Sequence, residues 1–393
     1  MSVLPALDDR QSPFFQEHHH AWRATLRRWV EAEVMPFADE WDEAGEFPRE
    51  LYKKASEVGL IGLGYPEEFG GTPSDPFMSI VTSQELARHG CGGINAGLMS
   101  HGIGLPPILA IGSDELKQRV IPSVLRGEKI AALAITEPSG GSDVANLKTT
   151  ARREGDEYIV NGEKVFITSG MRADWITVAV RTGEAGSKGS GGISMLLMPG
   201  HSAGLSRSKL DKMGWLCSDT AHLRFDNVRV PARYLLGEEG AGFRIIMSNF
   251  NSERFGLAAS ALGFAEACYD EALTWARQRK TFGAALVEHQ VIRHKLVDMQ
   301  MRIQSTAVWC ESVAAQADAG RTGPEWVANI CMLKNHSTQT MQFCADHAVQ
   351  ILGGMGFMRG TVSERIYREV KVMMIGGGAE EIMKDLAAKQ LGI

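Results

Sequence analysis

Two charged residues stand where a helical pattern calls for apolar ones. Over residues 242–279, Phe243, Met247, Phe250, Leu257, Ala261, Phe264, Cys268, Ala272 and Trp275 recur every three or four positions, the stripe of a helix packed in a bundle. Between Phe250 and Leu257 the stepping asks for an apolar residue at 253 or 254, and the chain has Glu253-Arg254. Charges in a buried seam are costly unless satisfied. They form a structural ion pair or a bend toward solvent, or Glu253 is a carboxylate facing a cleft, placed to take a proton, with Arg254 as its helper.

Three further stretches could do chemistry. "AITEPSGGSDV", Ala134–Val144, packs small residues and hydroxyls into one turn. Gly140 and Gly141 let backbone approach a ligand, and Thr136, Ser139 and Ser142 can donate to polar edges. Such a turn suits a flat heteroaromatic ring or a phosphate; it also suits a plain strand-to-loop junction. "MMIGGGAEE", Met373–Glu381, sets three glycines before a short final helix. "EHHH", Glu17–His20, offers metal ligands, but consecutive helical residues point about 100° apart, so a solvated helix face is expected. Six cysteines, with no C-x-x-C pair, read as buried thiols.

The elements that must hold these residues fall into three textures. Residues 1–130 read as helical: "AWRATLRRWVEAEVMPFA" puts Trp22, Leu26, Trp29, Val30 and Val34 on one face, and Pro36 ends the pattern. Residues 131–240 read as short strands, "AALAIT", "DEYIVNGEKVFIT", "DWITVAV", "GISMLLM" and "TAHLRFDNVRV", with turns between and a loose surface loop at "EAGSKGSGG". Residues 241–393 read as helical again. The expected class is α+β, mostly α.

With 44% hydrophobic and 22% charged residues in 393, the composition is that of a globular protein of two or three domains. A net charge of −6 gives no overall pull toward nucleic acid or anionic membranes. No apolar run reaches the roughly 20 residues of a membrane-spanning helix. "MSVLPALDDRQSPFF" has neither the apolar block of a secretory signal nor the Arg-rich character of a transit peptide, so a cytoplasmic protein is expected.

"AITEPSGGSD" resembles the first signature of the acyl-CoA dehydrogenase family. "VFITSG" (Val165–Gly170), "RQRKTFG…EHQ" (Arg277–Gln290) and "VQILGGMGF" (Val349–Phe357) resemble its other flavin-contacting blocks, in the same order and spacing along nearly the whole chain. The resemblance implies an N-terminal helical domain, a small β-barrel-like middle domain and a C-terminal four-helix bundle. It also implies a homotetramer that holds FAD between subunits and passes electrons to electron-transfer flavoprotein. Carried over residue by residue, it places Ile135, Thr136, Ser142, Phe166 and Thr168 against the flavin. Phe166 stands where the family usually has Trp. It sends Arg279, Thr281, Phe282 and Gln290 to a neighbouring subunit's FAD, Gln350, Gly353 and Gly354 to the adenosine side, and Ala379, Glu380 and Glu381 over the cofactor. On the substrate side it names Ser142, Arg244, Asn251, Ser252, Arg254, Gly377 and Gly378.

Many members of the family carry their catalytic base, a Glu, where this chain has Gly377. The chain resembles instead the long-chain and isovaleryl-CoA group, in which the base lies in a short "ER" pair on the long helix. That pair is Glu253-Arg254, the misfit found from periodicity. The expected activity is removal of the α-proton by Glu253 with loss of the β-hydride to FAD, giving a trans-2-enoyl-CoA. The glycines would leave room for the base and keep a backbone donor for the thioester oxygen; the bland alternative is a flexible C-terminal turn. Small residues in "NAGLMSHGIG", Asn95–Gly104, suggest a roomy pocket for medium-to-long or methyl-branched acyl chains. The rival readings are a flavin oxidase or monooxygenase of the same fold and a catalytically silent flavin or acyl-CoA binder.

Overall fold

A computed structural model describes residues 12–183 and 189–393, apart from the side chain of Ser248. The absence of a leader, read from the first residues, and most of the loop after Gly183 therefore concern segments outside the described residues. The helices are α1 (Glu17–Glu33), α2 (Ala38–Ala44), α3 (Glu50–Glu57), α4 (Pro76–Ala87), α5 (Gly92–Leu98), α6 (His101–Gly104), α7 (Pro106–Ile111) and α8 (Asp114–Leu125). After the strands come α9 (Gly242–Gln278), α10 (Gln290–Asp318), α11 (Pro324–Leu352), α12 (Gly354–Phe357), α13 (Val362–Ile375) and α14 (Glu380–Leu391). No single helix among the described residues is long and apolar enough to cross a membrane.

The chain folds into two compact units. One takes in the described residues up to Glu40, Ser74–Gly92 and Arg254–Ile393; the other is Trp41–Pro73 and Gly93–Glu253.

The first unit is helical. In α9, Ala261, Phe264, Cys268 and Ala272 are at most 1% exposed, so this half of the apolar stripe is core. At Gly263 α9 packs closely on α4: an added Cβ would lie 2.7 Å from the Ala87 Cβ. In α1, Leu26, Trp29 and Val30 are buried as the periodicity predicts, with Val34 just beyond its end, while Trp22 is half-buried. Its polar side is fixed by Glu85 of α4, which accepts from Arg23 and Arg27 at 2.7–3.0 Å. The start of α13 is capped twice, by the Thr361 hydroxyl and by the Glu271 carboxylate, which accepts from the Val362 and Ser363 amides. Such bonds satisfy donors that a helix end leaves open.

The other unit carries the sheet: β1 (Ala131–Ala134), β2 (Thr150–Glu154), β3 (Glu157–Thr168), β4 (Trp175–Arg181), β5 (Ile193–Pro199), β6 (Leu205–Lys209), β7 (Thr220–Pro231) and β8 (Leu235–Leu236). The order is β6-β7-β3-β2-β4-β5-β8, with β1 parallel to β4 off that path. The barrel-like expectation needs correction: β6 and β8 are ends, and the sheet does not close among the described residues. A barrel requires matched tilt and stagger all round. Here β2 joins β4 through the single pair Thr150–Arg181, a narrow joint that bends the sheet. The inward faces of β4 and β5 are apolar and buried, Ile176, Val178, Val180, Met195 and Leu197 all being inaccessible.

Candidate active site

In the sheet-bearing unit, the turn after β1 is pinned to β3. The Val165 N–H donates to the Thr136 carbonyl at 2.9 Å, and the Lys164 ammonium donates to the Ile135 carbonyl at 2.8 Å. Lys164 also meets the Glu137 carboxylate at 2.8 Å, and both side chains are buried. Glu137 in turn accepts from the Lys148 and Thr149 amides. Burial pushes the Glu137 carboxyl up, but Lys164 and these donors outweigh it and hold it below the usual carboxylate range. The turn then folds back, so that a Cβ on Gly141 would lie 3.3 Å from the Thr136 methyl. Ser142 is exposed beyond it.

Phe166 sits beside this turn. Its φ is +61°, within an irregular stretch of the β3–β7 pairing between Lys164 and Ile167. A non-glycine residue there is strained by about 1–2 kcal/mol. The ring is 68% exposed. Ile135, Thr136, Phe166 and Thr168 thus gather where β1 and β3 end. An aromatic face left bare next to hydroxyl and backbone donors fits a flat, polar-edged ring such as a flavin.

In the helical unit, α9 ends at Gln278 and runs into a tight hairpin, β9 (Lys280–Thr281) and β10 (Ala284–Ala285). Phe282 and Gly283 form its tip with φ of +53° and +84°, the type I′ pattern. The Phe282 ring is fully exposed. Arg279 and Gln290 are exposed too, and Thr281 is tied to His289 at 3.1 Å. This group is set to reach outward. Gln350, Gly353 and Gly354 form a second exposed cluster at the end of α11.

The three glycines lie between α13 and α14. Gly377 and Gly378 have φ of +67° and +115°, conformations that only glycine adopts without strain. The Arg254 guanidinium, on a residue 5% exposed, donates through Nε to the Gly377 carbonyl at 3.0 Å. A Cβ on Gly377 would meet the Leu257 side chain at 2.7 Å. The loop therefore rests against the turn of α9 that follows the half-buried Glu253. Ala379 caps α14, and Glu380 and Glu381 occupy its first turn, where the helix dipole favours acids. Arg244 and Ser252 are exposed and Asn251 is half-buried, all on the first turns of α9.

Two residues near the predicted pocket floor were not singled out from sequence. The Asn249 side chain of α9 donates to the Ile103 carbonyl at 3.4 Å. His101 is buried and its pKa is pushed down to about 4, chiefly by that burial. Gly102 has open space around it, while other glycines here are tightly packed. A Cβ on Gly93, Gly97 or Gly104 would fall 2.7–3.1 Å from Cys217, Phe47 or Ala131 respectively. These glycines answer to close packing.

The histidine run also differs from expectation. His18 is exposed and His19 buried, yet both reach Asp75, at 3.1 and 3.0 Å. Convergence is possible because Asp75 comes to them, as the N-cap of α4. His19 Nδ1 accepts from the Gln16 amide at 2.8 Å, so a neutral ring carries its proton on Nε2, facing Asp75. That nitrogen has no lone pair for a metal, and the trio is a hydrogen-bonded clamp.

Models of the acyl-CoA dehydrogenase N-terminal, middle and C-terminal domains match residues 16–128, 132–228 and 240–392. The chain belongs to the acyl-CoA dehydrogenase family. It is 35% identical to the long-chain specific acyl-CoA dehydrogenase of Rattus norvegicus mitochondria, over 96% of this chain and 87% of that one. It is 36% identical to the 3-(aryl)acrylate reductase of Clostridium sporogenes, over 96% and 99%. The crystal structure of a probable acyl-CoA dehydrogenase from Mycobacterium abscessus superposes with a TM-score of 0.93 at 45% identity, covering 96% and 99% of the two chains. The protein is an oxidoreductase of this family, and its cofactor is FAD.

Proposed function

We propose that the protein dehydrogenates a medium-to-long or methyl-branched acyl-CoA to the trans-2-enoyl-CoA, with Glu253 as the base. The observation that carries this reading is the buried Arg254 bound to the Gly377 carbonyl. It ties the glycine loop to the residue that follows Glu253 in the chain. Loop amides polarise the thioester carbonyl and stabilise enolate character, while a carboxylate removes the α-proton. Substrate excludes water around the Glu253 carboxylate, which strengthens its electrostatic interactions.

Bound FAD supplies the two-electron acceptor for the β-hydrogen. In this reading Ile135, Thr136, Ser142 and Thr168 hold its ring edge, with Phe166 against its face. Gln350, Gly353, Gly354 and the residues 379–381 hold the adenosine side. Arg279, Thr281, Phe282 and Gln290 reach a neighbouring subunit's FAD. A fully exposed Phe282 ring and a row of exposed apolar residues on α10, Val297, Met301 and Val308, support self-association as a homotetramer. Electrons leave to electron-transfer flavoprotein. The long-chain relative supports the chain-length preference, and the arylacrylate reductase keeps aryl-bearing chains in the test panel.

The test is an anaerobic titration with straight, branched and aryl acyl-CoAs, read by flavin absorbance, with Glu253→Gln beside the wild type. Bleaching in the wild type alone supports the assignment. Equal bleaching in both removes Glu253 from the mechanism. No bleaching with any chain favours the silent binder, and fast reoxidation by oxygen favours an oxidase.

A further inference from the structure

A lysine that the preceding reading does not use holds the glycine loop. Lys334 lies in the middle of α11 and is inaccessible to solvent. Its ammonium donates to the Met374 carbonyl, in the last turn of α13, and to the Gly378 carbonyl, both at 2.8 Å. These two acceptors bracket Ile375, Gly376 and Gly377. The Gly377 carbonyl accepts from Arg254 of α9. Next to Lys334 on α11, the Asn335 amide donates to the Glu380 carbonyl at 2.9 Å, which fixes the start of α14.

The N–H groups are the other half of the observation. Among the described residues, neither the Gly377 nor the Gly378 N–H donates to a backbone carbonyl. Both glycines are only half-buried, so these donors are open to a ligand or to water. Two such neighbouring donors, on a backbone whose carbonyls are bound by cations, are built to receive a negative oxygen. Arg254 and the Gly378 N–H act on the same peptide unit, so the guanidinium on its carbonyl strengthens that donor. A loop of three glycines has the most backbone freedom to lose, and an external anchor is what gives it one shape. A plain helix cap would need only the Met374 carbonyl.

We propose that Lys334 is a positioning residue for the reaction. It fixes the peptide planes of the glycine loop so that their N–H groups meet the thioester oxygen as charge builds on it. As the α-C–H bond breaks, its electron pair moves to that oxygen and the proton goes to the base. Lys334 touches neither substrate nor cofactor; it acts through Gly378. The inference rests on the acyl-CoA reading above.

The test uses flavin-loaded protein and two ligands of matched chain: a 3-oxoacyl-CoA, whose α-proton ionises reversibly, and an S-alkyl-CoA thioether that lacks the carbonyl. The enolate is followed by its own ultraviolet absorbance against pH. In K334M the midpoint for ionisation of the bound ligand rises by about one unit or more, a tenfold loss. In K334Q, which keeps one donor arm, it rises by less. Both variants bind the thioether within about twofold of wild type, well under the tenfold that 1.4 kcal/mol represents. An unshifted midpoint overturns the proposal, as does equal weakening of both ligands, which a general structural loss would cause. If K334M does not fold, K334Q decides by the same criterion. In the wild type, Gly377 and Gly378 amide exchange slows with the 3-oxoacyl-CoA and not with the thioether; equal slowing by both also overturns it. A wild type that neither ionises the ligand nor bleaches with any acyl-CoA sinks the parent reading and this one together. A wild type that does both, with variants that match it, sinks Lys334 alone.

Discussion

The Lys164 ammonium lies 2.8 Å from the Glu137 carboxylate, and neither side chain meets solvent by more than 4%. One buried ion pair thereby fixes the strand β3, which carries Phe166 near its end, to the turn that carries Thr136. Lys164→Met removes one partner and leaves a buried charge. Breaking such a pair costs about 3–5 kcal/mol. Denaturant unfolding should show a loss in that range, and the purified variant should retain little flavin. A loss under about 1 kcal/mol, a typical surface effect, would mean the pair does not hold the site.

Gly377→Ala should be damaging although it adds one methyl group. The positive φ alone costs about 1 kcal/mol, and Leu257 must move from 2.7 Å. The expected outcome is a fall in kcat of at least about tenfold, equivalent to 1.4 kcal/mol, with the fold retained by circular dichroism. Gly377→Glu should not restore the base position used by other family members, because its backbone is left-handed. A Gly377→Ala variant with unchanged kcat would return the loop to the status of an idle turn.

His101 predicts a pH dependence. Burial holds its pKa at about 4, below the ordinary value near 6.5. Between those values the unfolded chain binds a proton that the folded protein does not. Stability therefore falls as pH drops from about 6.5 to 4, by an order of 3 kcal/mol at most. Thermal midpoints of His101→Gln across that window should run flatter than those of the wild type. Parallel curves would remove His101 as the source.

Phe282→Asn separates the ring from the turn. Asn tolerates left-handed backbone, so the hairpin survives while the exposed ring is lost. Sedimentation should show a smaller assembly, and flavin should dissociate at least about tenfold more readily, a change of 1.4 kcal/mol. An unchanged assembly that holds flavin normally would show that the ring serves neither purpose.

Much of this was legible in the chain because it is local. A stripe of apolar residues every three or four positions foretold α9, and Glu253-Arg254 stood out against it. Three consecutive glycines marked the loop as one without side chains, although not that two of them, Gly377 and Gly378, take positive φ. What stayed hidden depends on distant partners. Lys164 looked like an ordinary charge in an alternating strand, and Lys334 like one lysine in a long helix; only the fold brings them to Glu137 and to the loop carbonyls. His18 and His19 converge because Asp75 arrives from 56 residues further along. The strained φ of Phe166 has no signature in residue type. The glycines of α5 and α6 divide, since a missing side chain marks either space, as at Gly102, or close contact, as at Gly97 and Gly104, and sequence does not say which.

The six cysteines are all buried, and burial raises the thiols of Cys268, Cys331 and Cys344 further above their ordinary pKa. A thiol that is both hidden and protonated is inert to alkylation. The native protein is therefore a self-timing reporter of its own opening, since each cysteine becomes labelled only when its surroundings come apart. Cys217 lies in the sheet-bearing unit and the other five in the helical unit. The order in which their masses shift under a labelling pulse would tell whether the chain opens as one cooperative body or in two stages.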